Sequence, residues 1–589
     1  MISGALRCAR RHDEGEILPP LTRCHPLLRW SVGDVPGHSK CSLSPTSSAA
    51  ESHPGEIAMA EPASTSDGSW RSFAAALLFS FALATPASAQ NVPVTVGASP
   101  PEDVVTLAPG GIEKALAGLP ATIEDILKRS GLPGAAVAVV HGGRTVFARG
   151  YGVRELGKPA KVDTATVFQI ASLSKPIAAT VAATQVTAGR ITWDDKVTKY
   201  LPEFRLKDAY VTANATVGDF YAHRTGLLHA AGDDLEDLGF DRKTILERLR
   251  LVPLAPFRIS YNYANFGITI GAEAVAAAAG VAWEDLSRQA LYEPLGMSST
   301  SSRHADFLAR DNRATLHSLE NGRFEARFRR DPDPQSPAGG VSSNVVDLSQ
   351  WLKLLLANGR HDGRQLIAPE ALLPALRAQA FSAPADSVGS RSGFYGFGFN
   401  VSVNANGRPS LSHSGAFATG GGTNVQILPS ADLAIVALTN GAPVGAAEAI
   451  TTSFMETAQF GAPTRDWYAV MNPRLLQMSA PAGDLAGKTA PASAVPAAAL
   501  GDYVGTYDSA YFGPARISQS QDGLVLHLGP AAFALPLSHW DANSFAISPR
   551  SENAPYGSRS SVRFTLVDGK ATSFTIDYLN AEGLAVWTR

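Results

Sequence analysis

Cysteine is nearly absent from this chain of 589 residues, and its three cysteines, Cys8, Cys24 and Cys41, all lie near the N-terminus. Everything after Cys41 must therefore fold without disulfides or cysteine-bound metal, held together by packing alone. The chain is too long for one compact domain, and hydrophobic residues make up 45% of it, enough for a large core.

An excess of charge of one sign is also lacking, since 50 basic residues stand against 53 acidic ones, for a net charge of -3. This balance provides no electrostatic reason to expect a nucleic acid or an anionic membrane as the partner. We expect a small, weakly charged molecule as the ligand.

The motifs of several other enzyme classes are missing. No Gly-x-Ser-x-Gly motif occurs, which argues against an α/β-hydrolase. No His-Glu-x-x-His motif occurs, which argues against a zinc hydrolase. The three glycines at 420–422 are not followed by the Lys-Ser/Thr pair of a phosphate-binding loop.

Long apolar runs are rare, and the most notable covers Phe73–Ala84. It leads to Ala87-Ser88-Ala89, which has the small-x-small pattern of a signal peptidase site, so we expect cleavage near 89/90. The alternative is a membrane anchor, but a spanning helix needs about 20 apolar residues. The sequence therefore predicts an exported protein, periplasmic or secreted, with no stable membrane span in its mature form.

The order of extended and helical patterns predicts an α/β fold of the α+β kind. Residues 112–131 have helical spacing, and the extended runs at 135–140 and 144–152 form a hairpin around Gly142-Gly143. Further helical patterns follow in the middle of the chain, at 216–228, 267–280, 283–297 and 344–359. Extended runs return at 395–403, 424–429 and 433–440. We expect one antiparallel sheet built from both ends, flanked by helices, with an inserted helical region.

The C-terminal part changes character after a Pro/Ala/Gly-rich stretch at 479–499. Beyond it the apolar residues alternate, with turn signals at Asp522-Gly523 and Asp568-Gly569, which predicts a small all-β, barrel-like domain. The predicted division is an N-terminal extension and signal peptide, a linker, a main domain, a second linker and the β domain, at 1–89, 90–111, 112–478, 479–499 and 500–589.

Ser172 and Lys175 stand three residues apart just before an apolar helical run. If a helix begins near Ser172, the two side chains lie one turn apart on the same face. A nucleophilic hydroxyl needs a base within about 3 Å, and burial can lower the pKa of a lysine far enough for it to serve. The alternative is that Ser172 is an ordinary helix N-cap.

Two later stretches carry further candidates. Tyr263 and Asn265 stand two residues apart, a spacing that points both side chains to one side of an extended loop. The segment His413-Ser414-Gly415 lies between two extended runs and precedes the three glycines. The alternatives are an ordinary loop-to-helix entry for the first pair and, for the second segment, a strand-end histidine with turn glycines.

The order Ser172-x-x-Lys175, Tyr263-x-Asn265, His413-x-Gly415 resembles the serine β-lactamase and penicillin-binding-protein superfamily, in its class C-like branch. Surrounding stretches such as ITWDDKVTKYLPEF and SPAGGVSSNVVDLSQWL resemble the same branch, and together the likeness covers about 111 to 460. It implies a β-lactamase/transpeptidase-like fold. The segment that opens with GDYVGTYDS resembles the lipocalin-like β domain appended to some of these hydrolases.

The resemblance also implies a mechanism. Ser172 would form a covalent acyl-enzyme, Lys175 and Tyr263 would handle its proton, and Asn265 would be a donor near the substrate carbonyl. The backbone N–H groups of Ser172 and of Ala416, the residue after Gly415, would form the oxyanion hole. No metal or organic cofactor is implied. Which of Lys175 and Tyr263 begins deprotonated stays open, although a Lys175 cation would favour the phenolate of Tyr263.

One position departs from the family pattern. His413 stands where β-lactamases and transpeptidases usually carry lysine, and a histidine is mostly uncharged near neutral pH. This argues against binding of a carboxylate-bearing β-lactam, and His-x-Gly forms in the family resemble esterases and D-amino-acid peptidases. We expect a serine hydrolase of small or peptide-like esters or amides; the alternatives are a peptidoglycan D,D-peptidase or β-lactamase, and an acylated penicillin-binding or sensor module with little turnover. In the last alternative the C-terminal domain would be a surface for a binding partner, and protein partners otherwise stay open.

Overall fold

A computed structural model of the protein describes residues 107–404 and 407–589. The predicted N-terminal extension, its signal segment and the cleavage near 89/90 lie outside the described residues. Within the described ranges no single helix has the length and apolar character needed to cross a membrane, and one bent pair, Asn265–Ala279 with Trp283–Tyr292, meets that test jointly by length and composition only.

In chain order, most helices of the described residues fall between the first and the last strands of the first sheet. They are α1 (Gly111–Ser130), α2 (Ser174–Thr187), α3 (Ala209–Asn214), α4 (Val217–Tyr221), α5 (Asp233–Asp237), α6 (Arg242–Arg248), α7 (Asn265–Ala279), α8 (Trp283–Ser287), α9 (His304–Leu308), α10 (Ser336–Gly339), α11 (Val345–Leu356), α12 (Pro369–Leu376), α13 (Ala446–Phe460) and α14 (Trp467–Leu475).

The strands fall into two large sheets and three short pairs. Those of the first part are β1 (Gly134–His141), β2 (Arg144–Gly152), β3 (Phe168–Gln169), β4 (Ser318–Glu320), β5 (Arg323–Glu325), β6 (Ser342–Ser343), β7 (Arg360–His361), β8 (Arg364–Gln365), β9 (Ala380–Ala383), β10 (Gly393–Tyr395), β11 (Asn400–Val403), β12 (Pro409–Phe417), β13 (Gly421–Leu428) and β14 (Leu433–Thr439). Those of the second part are β15 (Gly505–Tyr507), β16 (Ala515–Ser520), β17 (Gly523–Leu528), β18 (Phe533–Asp541), β19 (Ser544–Ile547), β20 (Ser560–Val567), β21 (Lys570–Ile576) and β22 (Val586–Thr588).

The first sheet joins strands from both ends of the hydrolase-like part, in the order β2-β1-β14-β13-β12-β11-β10-β9. All of these pairings are antiparallel, and β1 runs beside β14 with Ala135 opposite Thr439. Helices cover both faces, so β1 is apolar on both sides: Val137 and Val139 pack with α1 and α13, and Ala138 belongs to the core on the opposite face. The predicted antiparallel sheet flanked by helices is confirmed.

Helix α2 passes through the centre of this core. Every residue from Ser174 to Gln185 is buried, which is why its apolar residues are not confined to one stripe. The polar side chains among them are hydrogen-bonded, as those of Ser174 and Thr180 are to backbone carbonyls. A single 3₁₀ turn, Ala171–Leu173, precedes it. The start of α2 is therefore enclosed on all sides by the helical region and the first sheet.

The second sheet is a meander in which β15 to β22 follow one another in chain order. A bridge between Asp508 and Thr588 joins its first and last strands, so the sheet is nearly closed and barrel-like, as predicted. At the turn between β20 and β21, Asp568 (φ 49°) and Gly569 (φ 75°) both adopt positive φ, the geometry of a tight hairpin. The predicted boundaries at 478 and 500 stay predictions.

One predicted helix is shorter than its pattern. The spacing over 216–228 indicates a long helix, but α4 covers only Val217–Tyr221. Thr216 caps its start, and His223, with φ 56°, turns the chain into the left-handed region directly after its end. A non-glycine residue rarely adopts that conformation, and periodicity alone does not reveal it.

Candidate active site

Ser172 and Lys175 are brought together by the entry into α2. Ser172 lies in the 3₁₀ turn and is half-buried, and Lys175 Nζ lies 3.0 Å from Ser172 Oγ. Ser172 does not cap the helix, because the N-cap position is Leu173 and no side chain caps it. The residue before the serine, Ala171, has φ 49°, a left-handed conformation that costs free energy and sets the direction of the serine side chain.

The Lys175 amine is fully buried and surrounded by acceptors. It donates to Asn265 Oδ1 at 2.6 Å and to the backbone carbonyl of Ala338, in α10, at 3.0 Å. Burial lowers the pKa of Lys175 to about 7, although the negative fields of Asp233 and Glu236 oppose the shift. A substantial fraction of this amine is therefore neutral near neutral pH and able to accept a proton.

Tyr263 lies against the same amine, with Lys175 Nζ 4.5 Å from the centre of its ring. Burial raises the pKa of the Tyr263 phenol well above its ordinary value, and a side-chain hydrogen bond with Ser172 only partly opposes the rise. Burial is the largest influence on this phenol and favours its protonated form. The phenol is therefore neutral near neutral pH.

Asp233 completes this side of the site, and the sequence reasoning missed it. Asn265 Nδ2 donates to Asp233 Oδ2 at 2.8 Å, which turns the amide oxygen of Asn265 towards Lys175. Burial raises the pKa of Asp233 well above its ordinary value, and its Oδ1 has no hydrogen-bond partner among the described residues. The acidic run at 233–237 directly after a glycine is the sequence signal that could have marked it.

Strand β12 forms the opposite wall. Thr423 Oγ1, on the neighbouring β13, donates to the carbonyl of Ile170 at 2.9 Å, which ties the sheet to the serine turn. A Cβ atom at Gly415 would lie 2.2 Å from the Ile170 carbonyl oxygen and 3.0 Å from the Leu173 nitrogen. Only glycine allows this approach, and it brings the backbone that leads into Ala416 beside Ser172.

His413 lies within β12, not at its end, and is buried. Its Nδ1 donates to the carbonyl of Ser414 at 2.6 Å, so its Nε2 accepts from the hydroxyl of Tyr395 at 2.9 Å. Burial, with some help from the nearby Lys175 cation, lowers the pKa of His413 to about 3. This histidine is neutral at any physiological pH, and its ring centre lies 6.3 Å from that of Tyr263.

The arrangement supplies a nucleophile, a base, a neutral acid and two converging backbone segments. Among residues 107–404 and 407–589, no group of three or more histidine, cysteine, aspartate or glutamate side chains is placed to hold a metal ion. The chemistry that these side chains offer is acyl transfer: attack by Ser172, proton acceptance by Lys175 and proton donation by Tyr263.

Comparisons with known proteins show the family and the fold. The family model described as Beta-lactamase matches residues 119–456, and a domain of unknown function, DUF3471, matches residues 489–585. The octameric penicillin-binding protein homologue from Pyrococcus abyssi shares the fold with a TM-score of 0.52 at 17% identity, covering 80% of this chain and all of that one.

Two of the relatives that are similar in sequence are named for hydrolysis. Unguisins hydrolase ungD' of Aspergillus campestris (strain IBT 28561) is 27% identical over 334 residues, which is 54% of this chain and 60% of the relative. Esterase EstB of Burkholderia gladioli is 33% identical over 155 residues, 24% of this chain and 39% of the esterase. The chain thus spans less than two thirds of either relative. The family match covers more than half of the chain, and the protein belongs to the Beta-lactamase family of serine hydrolases.

Proposed function

We propose that the protein hydrolyses small ester or amide substrates through an acyl-enzyme on Ser172. The observation that carries the proposal is the 3.0 Å contact between Ser172 Oγ and the buried Lys175 amine, whose pKa burial lowers to about 7. A hydroxyl with a neutral amine at this distance can lose its proton as it attacks.

In the first step, Ser172 Oγ attacks the substrate carbonyl carbon and its proton passes to Lys175. The oxyanion is held by the backbone N–H groups of Ser172 and Ala416. The neutral phenol of Tyr263 donates its proton to the leaving alcohol or amine, and Lys175 restores that proton. Attack by water on the ester of Ser172, with the same proton path reversed, then releases the acid.

The substrate class follows from charge. His413 is neutral and occupied by Tyr395, so this position offers no fixed cation for a substrate carboxylate. The relatives named esterase and hydrolase support an ester or amide as the reacting bond. A substrate with an uncharged acyl group therefore suits the neutral surroundings of His413 better than a carboxylate-bearing β-lactam does.

The place of action is part of the proposal. The apolar run Phe73–Ala84 and the site at Ala87-Ser88-Ala89 support export, with the mature chain beginning near Gln90. Expression in an export-competent bacterium tests this. An extracytoplasmic protein whose first residue lies near Gln90 is expected, and a cytoplasmic protein that keeps residues 73–89 would contradict it.

The activity is tested with purified wild-type protein and the Ser172→Ala variant. Both are assayed on p-nitrophenyl acetate and butyrate, on a chromogenic cephalosporin and on D-amino-acid amides, and intact mass is recorded after treatment with a fluorophosphonate. We expect ester turnover and one label per chain in the wild type, both lost in the variant. Turnover confined to the cephalosporin or to D-amino-acid amides would favour the β-lactamase or D,D-peptidase alternative, and a stable adduct without turnover would favour the sensor module.

A further inference from the structure

One loop of the C-terminal β domain contacts elements on both sides of the active-site region. This loop, residues 548–559, connects β19 to β20 and is called here the β19–β20 loop. Three consecutive residues in it, Ser551, Glu552 and Asn553, form hydrogen bonds with the hydrolase domain. The contacts fall on two different elements, one on each side of the candidate site.

Glu552 holds the chain directly after β12. Its Oε1 accepts from the backbone N–H of Ala418 at 2.7 Å, and its Oε2 accepts from the N–H and the hydroxyl of Thr419 at 3.1 Å and 2.7 Å. Ala418 and Thr419 follow Ala416 by two and three residues, in the turn between β12 and β13. One carboxylate therefore fixes the turn whose strand carries the proposed oxyanion N–H.

The residues on either side of Glu552 hold the opposite wall. Ser551 Oγ donates to Asp237 Oδ2 at 2.6 Å, and the backbone N–H of Asn553 donates to the same oxygen at 2.9 Å. Asp237 ends α5, the helix that begins with Asp233, which in turn orients Asn265 towards Lys175. The loop thus connects α5 with the β12–β13 turn.

A buried arginine lies between these contacts. Arg330 pairs with Glu236 at 2.7 Å and with Asp237 at 3.4 Å, and its guanidinium lies 5.0 Å from the ring centre of Phe417, the last residue of β12. Burial alone would lower the pKa of Arg330, but the carboxylates of Glu236, Glu552 and Asp237 outweigh it and raise the pKa. The carboxylate of Glu552 therefore also takes part in the charge balance of this cluster.

From these contacts we propose that Glu552 is a positioning residue, through which the β domain holds α5 and the β12–β13 turn in fixed positions relative to each other. We call this set of contacts the clamp. This assigns a role to the C-terminal domain and rests on the proposed acyl-enzyme function. Because Glu552 does not touch Ser172, the clamp acts through the β12–β13 turn: it keeps Ala416 N–H where the oxyanion forms, and binding of the substrate depends less on it.

The test compares Glu552→Ala and Glu552→Gln with Tyr556→Phe. The last variant is the matched control, because it removes another hydrogen bond of the same loop to the hydrolase domain, that from Asn321 Nδ2 to Tyr556 OH, at 2.9 Å. Kinetic constants for p-nitrophenyl butyrate, the rate of fluorophosphonate labelling and amide hydrogen exchange of the segment around 415–422 are measured for each.

We expect Glu552→Ala to lower kcat and the labelling rate by about tenfold to a hundredfold, with KM changed by less than about threefold. Hydrogen exchange at 415–422 rises in the same variant. Glu552→Gln, which keeps an acceptor oxygen but loses the charge, lies between it and the wild type, and the control stays within about twofold of the wild type. Equal effects of Glu552→Ala and Tyr556→Phe would mean general adhesion between the domains and would overturn the proposal.

Failure of the clamp and failure of the proposed function give different results. If the wild-type protein neither turns over the ester nor becomes labelled at Ser172, the acyl-enzyme function fails, and hydrogen exchange alone decides whether the clamp exists. Unchanged exchange at 415–422 in Glu552→Ala then overturns it. If the wild type is active, an unchanged kcat in a folded Glu552→Ala protein overturns the clamp and leaves the acyl-enzyme function standing. Should Glu552→Ala not fold, the same criteria apply to Glu552→Gln.

Discussion

The two eight-stranded antiparallel sheets of this protein are assembled in opposite ways. In the second sheet each strand pairs with its neighbour in the chain, from β15 to β22. In the first sheet β1 pairs with β14, so Ala135 is held opposite Thr439 across most of the hydrolase domain. Closing such a long loop costs more chain entropy than forming a hairpin, and helices on both faces must offset that cost.

This difference between the sheets explains where the candidate active site lies. Around the first sheet, distant segments meet: the turn at Ser172, the helix start at Asn265 and strand β12 all contact one another or the Lys175 amine.

The second sheet has an aromatic core formed by residues close in the chain, such as Phe574 and Trp587. It meets the hydrolase domain at several places, among them the β19–β20 loop and Tyr511, whose carbonyl accepts from Arg248. The pairing of strands that are distant in the chain brings the site residues together, whereas the second sheet contributes none of them.

The largest expected effect is at the amine where the distant segments meet. Lys175→Met keeps a similar volume and removes the proposed base, so we expect kcat/KM for an ester to fall by about a thousandfold or more. In the wild type, the neutral amine is the active form, so the rate of acylation should rise with pH through about 7, the pKa of Lys175. A flat profile between pH 6 and pH 9, or an active Lys175→Met protein, would contradict the assignment.

Next in size is the contact between the first sheet and the serine turn. Gly415→Ala places a Cβ 2.2 Å from the carbonyl oxygen of Ile170, and the sheet must move away from Ser172. We expect about a hundredfold loss in fluorophosphonate labelling, the cost of a displaced oxyanion donor. Gly501→Ala, in the second part of the chain, meets no atom within 4 Å and is the control, with labelling and thermal unfolding unchanged. Similar losses of labelling in both variants would show that the effect is not specific to the contact between the first sheet and the serine turn.

A smaller effect is expected between β10 and β12, which β11 separates in the first sheet. Tyr395→Phe removes the hydroxyl that donates to His413 Nε2, and the loss of one neutral hydrogen bond should lower kcat/KM by less than about tenfold. Because burial lowers the pKa of His413 to about 3, its NMR resonance should not titrate between pH 5 and pH 8. A midpoint near pH 6.5 would mean that the histidine is open to solvent and could carry charge to a substrate.

The smallest effect on catalysis is expected in the core of the meander. Trp587 is buried, stacks on Phe574 at 5.1 Å and donates to the Gly513 carbonyl at 3.0 Å. Trp587→Phe should lower the free energy of unfolding by about 1–3 kcal/mol, because a buried acceptor loses its partner. We expect kcat to stay within about twofold of the wild type in the folded protein. A larger loss of kcat without a loss of stability would show that this core is coupled to the site directly.

Much of the site could be predicted because it depends on short spacings. Ser172 and Lys175 lie one turn apart, and Tyr263 and Asn265 reach one amine, as their positions in the chain indicate. Other features could not be predicted, because the partner of each group lies far away in sequence. The Ala338 carbonyl and the partnership of Tyr395 with His413 have no local signature. The acidic run that contains Asp233 is visible in the sequence, but it does not indicate that Asp233 would meet Asn265.

The helical patterns illustrate the same limit. Periodicity identified α2 and α11, but it extended α4 beyond Tyr221, because it contains no information on the left-handed turn at His223. It also indicated that the β domain has alternating strands, without indicating that Glu552 in one of its loops would bond to the β12–β13 turn. Local spacing states which face of an element is apolar and leaves open what that face meets.

By itself the sequence determined the local elements, the order of the three motifs and the family resemblance, because hydrogen bonding and side-chain direction repeat over a few residues. The tertiary structure alone decided the protonation of the site. Whether Lys175 is neutral, Tyr263 stays a phenol and His413 carries no charge depends on how completely water is excluded by residues from distant parts of the chain. The extent of desolvation depends on the complete tertiary packing and cannot be deduced from any single segment of the chain.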